Sequence, residues 1–275
     1  MKQSYNALFW ICLAYIAVFS LASVTSLWYL SMLFEIAALA LAWILSKRLL
    51  VCQAAPADFS LGFSPRPLLS TLPLLPFFVG GVVGISTLTA MLCEKIGVST
   101  AFDYGDNLWL CLLTSALLPA VIEEIFCRYL FLRYLLPHSR LGAVLASAVF
   151  FALLHGNFYQ IPYALFAGLF LGALAAVTGS VLPGILFHLV NNVASALLWF
   201  CADTALPRIL LWVLLGGLVL GVLYLLIIGR RLFSRLRTAF SGGGGLRTLG
   251  GLFTSPLVIF LILFVGEAVL LLWQK

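Results

Sequence analysis

The chain has 275 residues, 64% of them apolar and only 9% charged, with a mean hydropathy of +1.17. Soluble globular domains carry about 25% charged residues, so these charges cannot cover a water-soluble surface. The same hydrophobicity excludes disorder. The net charge of +6 reads as loop charge that orients a membrane protein, not as a nucleic-acid surface.

A membrane-spanning helix needs about 20 mostly apolar residues. The apolar runs are continuous, not alternating, which argues for helices over a transmembrane barrel. The expected fold is all-α: a polytopic membrane helix bundle of about eight or nine transmembrane helices, forming one integral membrane domain over residues 1–275. In chain order the expected spans lie near 7–26, 28–46, 71–93, 107–132, 141–157, 161–179, 184–202, 208–229 and 256–273. Short turns join the first pair around Ser23–Ser26 and the fifth and sixth around Gly156–Gln160. The first span reads as an uncleaved anchor, because no convincing small-residue cleavage site follows it.

Charge placement supports that layout. With a cytoplasmic N-terminus the inside segments hold Lys2, Lys47, Arg48, Arg66, Arg133, Arg140, Arg230, Arg231, Arg235, Arg237 and Arg247. The outside segments hold only Lys95, Arg208 and Lys275, a positive-inside bias. A multi-pass protein of a cell inner or plasma membrane is the expected location. Residues 230–255 read as a basic, glycine-rich cytoplasmic linker. Its first part, Arg230–Phe240, groups Leu232, Phe233, Leu236 and Phe240 opposite arginines, which suits a helix on anionic headgroups or a stop-transfer cluster. Six cysteines show no CxxC or metal-ligand spacing and read as small buried hydrophobes.

Ionisable groups inside a bilayer cost about 2.5–3.5 kcal/mol each on insertion scales. The intramembrane candidates are Glu35, Glu123, Glu124, Arg128, His155, His188 and Glu267, with amides at Asn157, Asn191 and Asn192. In the fourth span Glu124 and Arg128 are four apart and can pair. Glu123 points about 100° away and stays available for proton transfer. Pro119, just before them, must break the backbone bond to Ser115. Phe151 and His155 share a face of the fifth span, and His188 and Asn192 share a face of the seventh, with Asn191 adjacent. Counting along the spans leaves His155 nearer the outer side than Glu123 and His188, by as much as about 10 Å.

A carboxylate beside histidines suits activation of water, and a histidine with an amide suits stabilisation of an oxyanion. The residues therefore offer Glu123 with His155 as the water-activating pair and His188 with Asn192 as the oxyanion site. Glu124 with Arg128 would fix the local field. Other intramembrane proteases fit badly: the chain has no HExxH helix, no GxGD signature and no convincing serine nucleophile. A Cys127 thiol mechanism leaves both glutamates unemployed. Glutamate plus two histidines also forms a catalytic zinc set, so zinc is not excluded. Metal-free catalysis is favoured because asparagine is a poor zinc ligand and the two-histidine helix is missing.

EEIFCR (Glu123–Arg128), FALLH (Phe151–His155) and HLVNN (His188–Asn192) fit the patterns EExxxR, FxxxH and HxxxN. Their order and spacing resemble the CPBP family, the type II CAAX protease or ABI family of intramembrane glutamic-type endopeptidases, over roughly residues 107–202. The resemblance implies a membrane peptidase with Glu123, Glu124, His155, His188 and Asn192 as catalytic positions, supported by Arg128, Phe151 and Asn191. It implies no cofactor. The implied partner is a peptide or protein substrate with a membrane-associated tail in the lipid bilayer. The competing readings are a non-catalytic membrane scaffold or immunity protein and a proton-coupled transporter, although no related halves are evident.

Overall fold

A computed structural model describes residues 2–24, 27–50, 61, 65–98, 100, 104–205, 207–210, 212–214, 216–217, 219–224 and 226–227. The basic segment Arg230–Phe240, the glycine linker after it, and the span expected at 256–273 with Glu267 lie outside the described residues.

The elements are α1 (Lys2–Val24), α2 (Trp28–Leu49), α3 (Pro65–Thr71), α4 (Leu75–Lys95), α5 (Leu108–Leu135), α6 (Arg140–Leu154), α7 (Ile161–Thr178), α8 (Leu182–Phe200) and α9 (Pro207–Tyr224). The fold is an all-α bundle, with no strand among the described residues. Among the described residues six helical stretches are long and apolar enough to cross a membrane, and the apolar segments Asn6–Ala22 and Arg140–Leu154 are shorter. Large apolar side chains such as Trp109, Leu88 and Trp212 are exposed on the outside of the bundle. A surface of that kind requires lipid and not water around it. The chain is an integral, multi-pass membrane protein.

Helix α5 is the post around which the rest assemble. It is not uniformly α-helical: Leu112–Leu117 and Ile125–Leu132 are π-helical, separated by the α-helical turns Leu118–Glu124. The break that Pro119 demands takes this form, since a wider turn absorbs the missing donor. The hairpin of α1 and α2 packs on one flank of α5, where Tyr15 stacks on Phe126 at 3.8 Å and Trp43 on Tyr129 at 5.4 Å. Helix α6 packs on another flank through Phe150, whose ring lies 5.2 Å from Phe131 and 5.5 Å from Phe126. Helix α8 covers the segments Leu112–Leu117 and Leu118–Glu124. Behind it, Phe78 of α4, Phe170 of α7 and Phe187 of α8 form one aromatic cluster.

Close approach of α6 and α7 depends on a residue with no side chain. A Cβ on Gly168 would lie 2.8 Å from Ala148 Cα and 3.0 Å from Ala148 O, both backbone atoms that cannot swing away. Small residues at such crossings are what allow membrane helices to gain packing contacts. Gly168→Ala is therefore expected to lower stability by about 1–3 kcal/mol. Gly84→Ala, where a Cβ meets nothing within 4 Å, is expected to leave it unchanged. Reversible unfolding of both variants in mixed micelles measures the difference.

Candidate active site

Three helices deliver polar side chains to the middle of this apolar bundle. From α5, Glu124 and Arg128 are both fully buried, with Arg128 Nε 3.3 Å from Glu124 Oε2. Their i, i+4 spacing spans the junction where the π-helical stretch begins. From α8, His188 places Nδ1 3.5 Å from Glu124 Oε1. Gly184, one turn before His188, lets α8 come down on this carboxylate: a Cβ there would meet Glu124 Oε2 at 2.7 Å. From α6, Ser147 accepts a hydrogen bond from Arg128 Nη1 at 3.2 Å and donates to Cys127 O at 2.9 Å. A buried charge is tolerable only when paired and hydrogen-bonded. Here the guanidinium has a carboxylate and a hydroxyl, and the carboxylate faces an imidazole on its other side.

Phe151 on α6 holds the set together. The Arg128 guanidinium lies 4.8 Å from its ring centroid, a cation–π contact in a dry setting. The His188 ring meets the same phenyl edge-on at 5.5 Å, and His155 does so at 5.1 Å. The offset in depth expected between the two histidines is thus bridged by one aromatic ring that touches both.

His155 departs from expectation in its backbone. The fifth span was expected to continue to residue 157, but α6 ends at Leu154 and His155 lies in the terminating turn. Gly156, with φ of 66°, reverses the chain there, the usual way a glycine ends a helix. Asn157 is part of that turn and not of the site: its side chain donates to His155 O and accepts from Gln160 N. The His155 ring nitrogen Nδ1 is 2.9 Å from Phe151 O. A carbonyl oxygen only accepts, so Nδ1 is the donor and Nε2 is left out of that bond. The half-buried imidazole adjoins the exposed residues Gly156–Phe158 at one end of the bundle. Tyrosines surround that end: Tyr163 lies 6.5 Å from His155, Tyr159 lies 5.7 Å from Tyr163, and the Tyr159 hydroxyl is 2.9 Å from Ser86 Oγ. Burial pushes the hydroxyl of Tyr104, in the loop before α5, above the usual tyrosine range, with Cys111 and Tyr159 adding to the effect.

The remaining expected residues stand as follows. Glu123 is half-buried, and its Oε2 is shielded from solvent with no hydrogen-bond partner among the described residues. It lies within electrostatic reach of Tyr163. Asn191 Nδ2 donates to Asn192 Oδ1 at 3.3 Å; that contact, and not one with His188, is the one Asn192 makes. Cys127 is buried. Among the described residues no group of three or more His, Cys, Asp or Glu side chains is placed to hold a metal ion.

Sequence reasoning missed Ser147, Gly184 and Tyr163. Two of these carried a signal: Ser147, Phe151 and His155 recur every four residues, as do Gly184, His188 and Asn192. Each stripe extends one turn beyond the motif read from it.

The geometry defines a class: a multi-pass helical membrane protein with a buried acid, an arginine and two imidazoles gathered from three helices. A family model described as type II CAAX prenyl endopeptidase Rce1-like matches residues 105–194, a stretch that contains all three motifs. The match covers about a third of the chain and agrees with the family resemblance carried by those motifs. The match supports a CAAX-type endopeptidase. No curated protein and no solved structure matches the chain.

Removing one member of the buried ion pair strands the other. Arg128→Leu is expected to cost about 3–5 kcal/mol, while the double variant Glu124→Gln with Arg128→Leu loses less than the single one. Denaturation of the two proteins in micelles checks the sign of that difference.

Proposed function

We propose that the protein is an intramembrane endopeptidase that hydrolyses a peptide bond of a membrane-anchored or C-terminal peptide by a metal-free, glutamate- and histidine-assisted attack of water. The observation that carries this reading is the convergence of Arg128, His155 and His188 on one ring, Phe151, beside the buried Glu124.

In this reading Glu123 is the base. It takes a proton from water as the oxygen attacks the scissile carbonyl, and Nε2 of His155, free because Nδ1 is tied to Phe151 O, orients that water. The carbonyl π electrons move to oxygen, and the oxyanion receives hydrogen bonds from Nε2 of His188 and the amide of Asn192. Such preorganised donors are commonly the largest single contribution to acyl-transfer catalysis. Glu124 faces Nδ1 of His188, which leaves the Nε2 edge for substrate. When the tetrahedral species collapses, the C–N bond breaks and the leaving amine takes the proton held by Glu123. Glu124 and Arg128 do not exchange protons with substrate; they hold α5 and α8 in register. The half-buried position of His155 beside the Gly156–Phe158 turn supports entry of the peptide and water at that end of the bundle.

The test is cleavage of a lipid-anchored tail peptide by the full chain reconstituted in vesicles. Glu123→Gln is expected to lower kcat by at least about 10²-fold, the usual contribution of a general base. Equal cleavage by that variant would remove the reading and favour a non-catalytic scaffold. Excess chelator is expected to leave cleavage unchanged, and loss that is restored by adding Zn²⁺ would contradict the metal-free assignment.

A further inference from the structure

Glu35, on α2, has no role in the chemistry above. Yet it lies on the inward stripe of that helix, at i, i+3, i+7 and i+11 with Ala38, Ala42 and Ser46. Ala38 and Ala42 are 0% exposed and Ser46 is 3% exposed. The Ser46 hydroxyl is satisfied by Trp43 O at 2.8 Å. Glu35 is therefore the ionisable member of a stripe otherwise made of small, sealed side chains. Helix α2 packs directly on Leu118–Glu124 and Ile125–Leu132, the segments that carry Glu123 and the rest of the first motif.

Tyr15, on α1, points at the same place. It is 0% exposed and lies flat on Phe126, 3.8 Å between centroids at 15°, three residues beyond Glu123. Among the described residues its hydroxyl has no hydrogen-bond partner, and neither has Glu123 Oε2. Both Tyr15 and Glu35 lie within electrostatic reach of Glu123. A buried donor without an acceptor and a buried acceptor without a donor each cost about 1–3 kcal/mol. Ordered water between them is the ordinary remedy. A second carboxyl within electrostatic reach of Glu123 in an apolar bundle makes it costly for both to be charged.

We propose that Tyr15 and Glu35 are positioning residues for Glu123: Glu35 keeps its proton, and its carboxyl and the Tyr15 hydroxyl donate, through water, to the ionised Glu123 carboxylate. The proposal rests on Glu123 being the water-activating base. It gives the N-terminal hairpin, which lies outside the matched residues 105–194, a direct hold on the catalytic centre. Among the described residues, the titratable groups within electrostatic reach of Glu123 include Tyr15 from α1, Glu35 from α2, Tyr163 from α7 and Cys127 on its own helix, and the proposed mechanism adds His155 from the end of α6. Arg128 is committed to Glu124. Among these, Glu35 is the second carboxyl.

The experiment uses the full chain in vesicles, with cleavage of an anchored peptide and infrared difference spectra read on the same preparations. Glu35→Leu and Tyr15→Phe are each expected to lower kcat by about tenfold, the value of one hydrogen bond to the base, with KM unchanged. Glu35→Gln, which keeps a donor, is expected to retain most of the activity. In the infrared, Glu35→Gln deletes a protonated-carboxyl band that shifts in Glu123→Gln and in Tyr15→Phe. A band that Glu35→Gln does not delete, or that ignores Glu123→Gln, would overturn the proposal. So would full activity of Glu35→Leu in a chain where Glu123→Gln is inactive, a result that leaves the hydrolase reading standing. Conversely, a chain that cleaves nothing yet shows the coupled band would refute hydrolysis and retain the Glu35–Glu123 pair.

Discussion

A charge sealed inside an apolar bundle must bring its partners with it, and the rest of this structure follows from where Arg128 finds its own. The guanidinium is fully buried, and lipid offers no water to relieve it. It draws on three neighbours: an ion pair with Glu124 along its own helix, a hydrogen bond to Ser147 from α6, and the face of Phe151. Glu124 in turn faces His188 from α8. Satisfying one cation thus fixes the mutual placement of α5, α6 and α8, the three helices that carry the motif residues.

The same constraint explains the local backbone. An uninterrupted α-helix across Pro119 would leave the Ser115 carbonyl without a helical partner. The π-helical stretches on either side of the Leu118–Glu124 turns spread that defect over several residues, and wide turns of this kind recur at functional sites. Gly184 performs a comparable service on α8. A Cβ there would lie 2.7 Å from Glu124 Oε2, so either the carboxylate or α8 would have to shift. Where the chemistry needs close approach, the sequence supplies glycine or serine; where it needs a dry wall, it supplies phenylalanine.

Much of this was legible from spacing along single helices. The Glu124–Arg128 pair, the shared face of Phe151 and His155, and the order of the three motifs are properties of neighbours in sequence, and a helical repeat reveals them. What stayed hidden depends on which helix faces which. Nothing in the local sequence says that Ser147 will receive Arg128, that Phe151 will stand between two imidazoles, or that Tyr15 will stack on Phe126. The exact end of α6 was missed for a different reason: His155 continues the apolar helical pattern, and only the left-handed turn at Gly156 stops it. Glu35 was visible as an anomaly in an apolar span, but its companion in α5 emerges only once α2 is docked.

The account stands or falls on a pocket shared by three helices and open to water. The chain contains three histidines, so isotope labelling of histidine gives a nearly unambiguous spectrum of the site in lipid bilayers. The most direct measurement is water-edited solid-state NMR of that labelled protein. Transfer from water to both the His155 and His188 rings, with a proton on His155 Nδ1, is the predicted result. Rings that receive polarisation only from lipid acyl chains would contradict a catalytic site there.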